Sequence, residues 1–96
     1  MEKEVIVKWK INEKETSRIL GLLQELVQKS RTEKGNLSYN IFQSLDDANI
    51  LILHERYANA AAAEVHKNSA HYLEIVAGQI VPYLEIREVS SVKKLY

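Results

Sequence analysis

From Glu4 to Ile11 the chain alternates Val5, Val7, Trp9 and Ile11 with Ile6, Lys8 and Lys10. A period of two predicts a strand with one strongly apolar face. Asn12 offers a helix N-cap, and Glu15 three residues later completes a capping box. Ile19, Leu20, Leu22, Leu23, Leu26 and Val27 then recur at helical spacing as one apolar stripe. Gly21 weakens that helix by about 1 kcal/mol relative to alanine, and its lack of a side chain would let the helix approach a sheet. Lys34-Gly35 marks the stop. Asn36 to Ser44 alternates again, with Leu37, Tyr39 and Ile41 in phase. Ser44 to Asn49 reads as a turn, and Ile50 to Tyr57 as a strand apolar on both faces up to Leu53, giving a hairpin buried at its centre. Asn59 caps an alanine-rich helix over Ala60–Lys67. Asn68-Ser69 breaks it and recaps a second short helix from Ala70 to about Gln79. Pro82 precedes a last strand, Tyr83 to Val89, and a polar tail completes the chain.

The order β-α-β-β-α-α-β predicts an α+β domain spanning residues 1–96. Its form is a ferredoxin-like four-stranded antiparallel sheet with helices on one face. The uncovered face then needs a partner. With Val5, Val7, Trp9 and their neighbours supplying apolar residues on the strands, a second copy packed sheet against sheet is the expected solution, as a homodimer.

Composition narrows the function. Thirteen basic and thirteen acidic residues cancel, whereas a protein that neutralises many phosphates usually carries a basic excess, so nucleic acid is disfavoured. The chain has no cysteine, which excludes disulfides, thiolate catalysis and cysteine-ligated metals. The charged N-terminus MEKEVIVKWK has no apolar core of signal-peptide length, and no apolar run reaches the ~18–20 residues that span a bilayer. No membrane association and a cytoplasmic address are the expectations.

All three histidines fall between His54 and His71, with Glu55, Tyr57 and Tyr72 among them. A histidine titrates near neutrality, so one held in an apolar pocket is a candidate general base. His66 and His71 are five apart rather than at the i, i+4 spacing of a helical metal pair. His54 and Glu55 are adjacent on a strand and point to opposite faces. No metal site is therefore expected. Ala60 to Ala63 has two readings, close packing on the sheet or a cavity left open for a ligand. Tyr39 and Tyr57 lie on strands that should pair and could line such a cavity. There is no Gly-rich phosphate loop and no serine nucleophile elbow.

Four stretches resemble the antibiotic biosynthesis monooxygenase family of small dimeric α+β barrel proteins. Ser30-Arg31-Thr32-Glu33-Lys34-Gly35-Asn36-Leu37-Ser38-Tyr39 resembles its S-x-x-E-x-G-x-x-x-Y entry to the second strand. Ser44 with Asp46 resembles its hairpin, and Glu55-Arg56-Tyr57 its E-x-W. His66 to Tyr72 resembles H-x-x-S-x-H-[FY]. The resemblance covers about residues 4–89. It implies a homodimer with sheets face to face and a pocket between each sheet and its own helices. It also implies one of several activities: cofactor-free oxygenation of phenolic polyketides or quinols, haem degradation, or isomerisation of a phosphorylated autoinducer. Tyr57 stands where the family usually has tryptophan. The position near Val76, where the haem-degrading branch has its iron-ligating histidine, carries none, which disfavours that branch. The oxygenase reading, with no cofactor and a small aromatic or carbonyl-containing substrate, assigns the base to His66 with His71 as the alternative. Tyr39, Tyr57 and Tyr72 would contact substrate, and Asn40 would donate to an oxyanion if its side chain faces the helices. The isomerase reading would use Lys67 and Arg87 for a phosphate. A non-catalytic ligand-binding dimer is the third reading.

Overall fold

The computed structural model describes all residues, Met1–Tyr96. Strands β1 (Lys3–Ile11), β2 (Asn36–Gln43), β3 (Ile50–Tyr57) and β4 (Leu84–Val92) form one antiparallel sheet in the order β2-β3-β1-β4. Helices α1 (Thr16–Leu20), α2 (Leu23–Arg31), α3 (Ala60–Lys67) and α4 (Tyr72–Ile80) carry the connections. This is the ferredoxin-like arrangement that the alternation of periods predicts.

The pairing register decides which residues share a face. Tyr39 lies opposite Glu55, Glu55 opposite Val5, and Val5 opposite Ser91. One row further on, Ile41, Leu53, Val7 and Val89 align, and then Gln43, Leu51, Trp9 and Arg87. Val7, Trp9, Leu51, Leu53 and Tyr39 are buried against Ile19, Leu26, Ile75, Val76 and Ile80 from the helices. Val5, Val7 and Trp9 therefore belong to the covered face, not to the face awaiting a partner. That open face carries Ile6, Phe42, Ile52, Ile86 and Val92, with Phe42 57% exposed. Between them His54 Nε2 meets Glu4 Oε2 at 2.5 Å, so His54 points away from the helices.

Local chemistry shifts several boundaries. Asn12 makes a short turn instead of a cap: its Oδ1 accepts from the Lys14 N–H at 3.0 Å, and the first helix begins at Thr16. The single helix expected through Gly21 is two, α1 and α2, interrupted there. Gly21 is exposed and makes no approach to the sheet. Asn59 does cap α3, its Oδ1 accepting from Ala62 N–H at 2.8 Å. Val81–Tyr83 forms a 3-10 turn around Pro82, and β4 continues to Val92, past Val89.

Two local features bear on helices α3 and α4. A methyl built on Gly35 would sit 2.3 Å from the Ala62 Cβ, so the turn before β2 touches α3 at a distance only glycine permits. No glycine in the chain has positive φ, so close approach and not backbone conformation requires Gly35. Helix α4 is wound as a π-helix, a form found disproportionately at functional sites. Its i→i+5 repeat puts the buried Ile75 and Ile80 on one side.

Candidate active site

Helix α2 ends at Arg31, and the turn after it is tied by Glu33 N–H to Ser30 O (3.2 Å) and Asn36 N–H to Glu33 O (3.0 Å). Ala58 N–H donates to Gly35 O at 2.8 Å, fastening this turn to the end of β3. With Gly35 against Ala62, the Glu33 carboxylate reaches the last turn of α3. There Glu33 Oε2 meets His66 Nδ1 at 2.7 Å and His71 Nε2 at 2.5 Å. Ser69 locks the α3–α4 junction. Its Oγ donates to His66 O at 2.6 Å, accepts from Tyr72 N–H at 3.2 Å, and lies 3.1 Å from His71 Nε2.

The hydrogen-bond requirement sets the histidine tautomers. An ionised carboxylate only accepts, so each ring nitrogen facing Glu33 carries its proton. Neutral His66 is then protonated at Nδ1 and has a free lone pair at Nε2. That atom is buried and has no hydrogen-bond partner. An imidazole oriented by a carboxylate on one nitrogen and basic at the other is the arrangement general-base catalysis uses. Tyr39, Tyr57 and Tyr72 pack around the ring at centroid distances of 5.4, 5.5 and 5.2 Å.

Glu55 approaches from the sheet. It is buried, its Oε1 accepts from Tyr57 OH at 2.7 Å, and the same oxygen lies 3.9 Å from His66 Nε2. Burial pushes the Glu55 carboxyl up, by more than the Tyr57 hydrogen bond pulls it down. Burial also holds the Tyr39 and Tyr57 phenols well above their ordinary range, so neither serves as a tyrosinate.

These groups line a cavity of about 170 Å³ between the sheet and helices α3 and α4. That volume is on the scale of a single aromatic ring, since a dry cavity of roughly 150 Å³ accommodates benzene. Val5, Val7, Trp9, Val76 and Val89 form its apolar wall, and Ala60 and Ala63 form its floor. Of the two readings of the alanine run, the cavity is the one seen at Ala60 and Ala63, while Ala62 packs against Gly35 in the turn before β2 and not on the sheet. Lys3, Lys67 and Arg87 also border the cavity. Arg87 Nη2 donates to Tyr72 OH at 3.2 Å, and Lys3 Nζ to Ser91 Oγ at 2.7 Å.

Of the sequence candidates, His66, Tyr39, Tyr57 and Tyr72 come together at the cavity. His71 stands behind His66 on Glu33 and is not among the lining residues. Asn40 faces the other side of the sheet, opposite His54, where its Oδ1 accepts from Arg31 Nη2 at 3.0 Å, so it cannot meet an oxyanion in the cavity. The two carboxylates were missed as site residues, though each left a sequence signal. Glu55 falls in phase with Leu51, Leu53 and Tyr57 on the apolar face of β3, where an acid is out of place. Glu33 sits in the Ser30–Tyr39 stretch but has no periodicity to mark it.

Glu33, His66 and His71 bring three potential metal ligands within 4.8 Å of one another. Their N···O contacts of 2.7 and 2.5 Å are proton-sharing distances. Ligands on a tetrahedral zinc, with bonds near 2.0–2.1 Å, stand about 3.3 Å apart.

The family model described as antibiotic biosynthesis monooxygenase matches residues 4–78. The Bacillus subtilis protein named "Putative monooxygenase YcnE" is 32% identical over 68 residues, which is 71% of this chain and 72% of that protein. The Mycobacterium tuberculosis protein named "Putative monooxygenase Rv0793" is 37% identical over 57 residues, 59% of this chain and 55% of that one. Its solved structure superposes with a TM-score of 0.89 at 29% identity, covering 100% of this chain and 97% of that chain. A crystal structure described as an antibiotic biosynthesis monooxygenase superposes with a TM-score of 0.92 at 25% identity over the full length of both chains.

Proposed function

The chain belongs to the antibiotic biosynthesis monooxygenase family, and from that premise we propose that it is a cofactor-independent monooxygenase of a small phenolic or quinol-type substrate. Membership and the names of its relatives support monooxygenase-type chemistry in general. One observation carries the finer reading: Glu33 accepts the Nδ1–H of His66, leaving Nε2 as a basic, unpartnered nitrogen in a residue that lines the cavity.

Without a cofactor, the substrate itself supplies the electrons. His66 removes the phenolic proton, and the resulting anion is rich enough to reduce O2 and combine with it. The protein's contribution is a base of fixed orientation, a mostly apolar enclosure and aromatic walls that hold a ring. His66 is favoured over His71 because His71 does not line the cavity. Tyr39, Tyr57 and Tyr72 surround the base and contact substrate. Tyr72 OH, held by Arg87, is the better placed to steady the anion.

Dissolved-oxygen uptake by the pure, metal-free protein tests this directly, with a panel of quinols and hydroxyanthracenes and a no-protein blank for autoxidation. Uptake above the blank is expected. Uptake at the blank rate across the panel would remove the oxygenase reading. Lys3, Lys67 and Arg87 at the cavity support a second reading, isomerisation of a phosphorylated diketone. That activity would need the substrate phosphate and proceed equally well without O2.

The open sheet face supports a homodimer, the common state in this family. Ile52 lies between Phe42 and Lys8 in the register, at the centre of that face. Sedimentation should give twice the 11.0 kDa chain mass. Ile52→Lys should shift it to the single-chain value, because an ammonium buried beside Lys8 without a partner costs several kcal/mol. A variant that remains dimeric would place the interface elsewhere.

A further inference from the structure

We propose that Glu55 is a second catalytic group, the acid that protonates the departing oxygen when the O–O bond of a substrate peroxide breaks. This rests on the oxygenase reading above and adds a residue and a step to it.

His66 stands between two carboxyl groups in opposite surroundings. Glu33 receives two N–H donors, both on Oε2, and orients the two histidines. Glu55 receives one phenolic donor from Tyr57, is 8% exposed, and has no lysine or arginine within ion-pair distance. The histidine nitrogen that faces it is His66 Nε2, 3.9 Å from its Oε1. Two like groups driven apart by environment divide the roles of base-orienting anion and neutral acid. The upward push on Glu55 from burial agrees with that division. Glu55 also lines the cavity, in the row of the sheet that contains Tyr39.

The step balances with O2 as the oxidant. His66 takes the hydroxyl proton of the phenol. The phenolate adds O2 at a ring carbon, and the imidazolium returns its proton to the peroxide anion, giving a ring hydroperoxide. His66, neutral again, takes the proton from that carbon. The C–H electron pair becomes the second C–O bond as the O–O bond breaks. The departing hydroxide collects the Glu55 proton and leaves as water. The ring has lost the electrons that O2 gained, one oxygen is in the quinone, and the other is in water. His66 Nε2 now holds a proton, and Glu55 Oε1 stands 3.9 Å away. That gap is too long for direct transfer, so the water just released carries the proton across and resets both groups for the next turnover.

The test is the ratio of quinone formed to O2 consumed, with the hydroperoxide titrated separately, on the same quinol and hydroxyanthracene panel. The wild-type ratio should be close to one. Glu55→Gln should continue to take up O2 while the ratio falls about tenfold or more, the difference appearing as ring hydroperoxide. Glu55→Asp, an acid set back by one methylene, should fall between them. A purely structural Glu55 would lower uptake and quinone together and leave the ratio unchanged, and that result overturns the proposal. So does a Glu55→Gln protein with the wild-type ratio, since the His66 reading would then stand without this acid. Wild-type protein that consumes no O2 removes both, and does so before any variant is made. Folding is not expected to confuse the outcome. A carboxyl raised on folding loses native stability as pH climbs past its unfolded value toward its folded one, so glutamine removes a cost at neutral and alkaline pH. If Glu55→Gln fails to fold, the Glu55→Asp ratio decides: unchanged from wild type, it overturns the proposal.

Discussion

His66→Ala is expected to lower oxygen uptake by about 10²–10⁴-fold, the range a positioned general base contributes, while the protein stays folded. The variant removes the one basic nitrogen that is both fixed by a carboxylate and part of the cavity wall. Glu33→Leu makes the same point without touching the base. It removes the oxygen that accepts from both histidines, so nothing holds the His66 proton on Nδ1 or fixes the ring, and the lone pair at Nε2 is no longer kept free. A fall of comparable size is expected, with the change of tautomer visible in the ¹⁵N shifts of the imidazoles. A melting curve guards against unfolding, because a buried donor left unpaired costs about 1–3 kcal/mol. Full turnover in His66→Ala would take the base assignment away. Full turnover there combined with loss in His71→Ala would transfer it to His71.

Gly35→Ala should be nearly as disruptive, although it adds one methyl group and no charge. That methyl would stand 2.3 Å from the Ala62 Cβ, inside any permissible contact, and both neighbours are built into tight local structure. Either the turn carrying Glu33 or helix α3 carrying His66 must move. Overpacking of this kind costs about 1–3 kcal/mol, which in a domain of this size lowers the melting temperature by roughly 5–20 °C. Turnover should fall further than stability does, because the displacement separates Glu33 from His66, a contact of 2.7 Å. Gly35→Ala with Ala62→Gly restores the space and should recover much of both. A melting temperature within a degree of wild type in the single variant would show that the two segments are not pressed together in solution.

How much of this is legible in the sequence depends on the range of the interactions. The alternation of Val5, Val7, Trp9 and Ile11, and of Leu51, Leu53 and Tyr57, is local, and it leads directly to the strands and the α+β order. Helix α4 shows where a local reading fails. A search at 3.6 residues per turn finds a helix there but cannot show that it is wound as a π-helix. The open sheet face is anticipated, but its residues are misassigned. Period two does not say which of two apolar sets faces the helices when Ile6 and Val7 are both hydrophobic. Asn40 fails for the same reason. His66, Tyr39, Tyr57 and Tyr72 can be grouped from the motifs they occupy. The Glu33 contact spans 33 positions of sequence to His66 and depends on Gly35 meeting Ala62, which no periodicity encodes.

Trp9 has a use that comes from its place in the cavity wall. It is the chain's one tryptophan, 3% exposed, with an indole N–H that has no partner. The protein therefore carries its own optical reporter at the site of interest, with no second indole to dilute the signal. An aromatic ligand entering the cavity should quench or shift that emission whether or not it reacts, so occupancy can be titrated anaerobically and chemistry then started by admitting air.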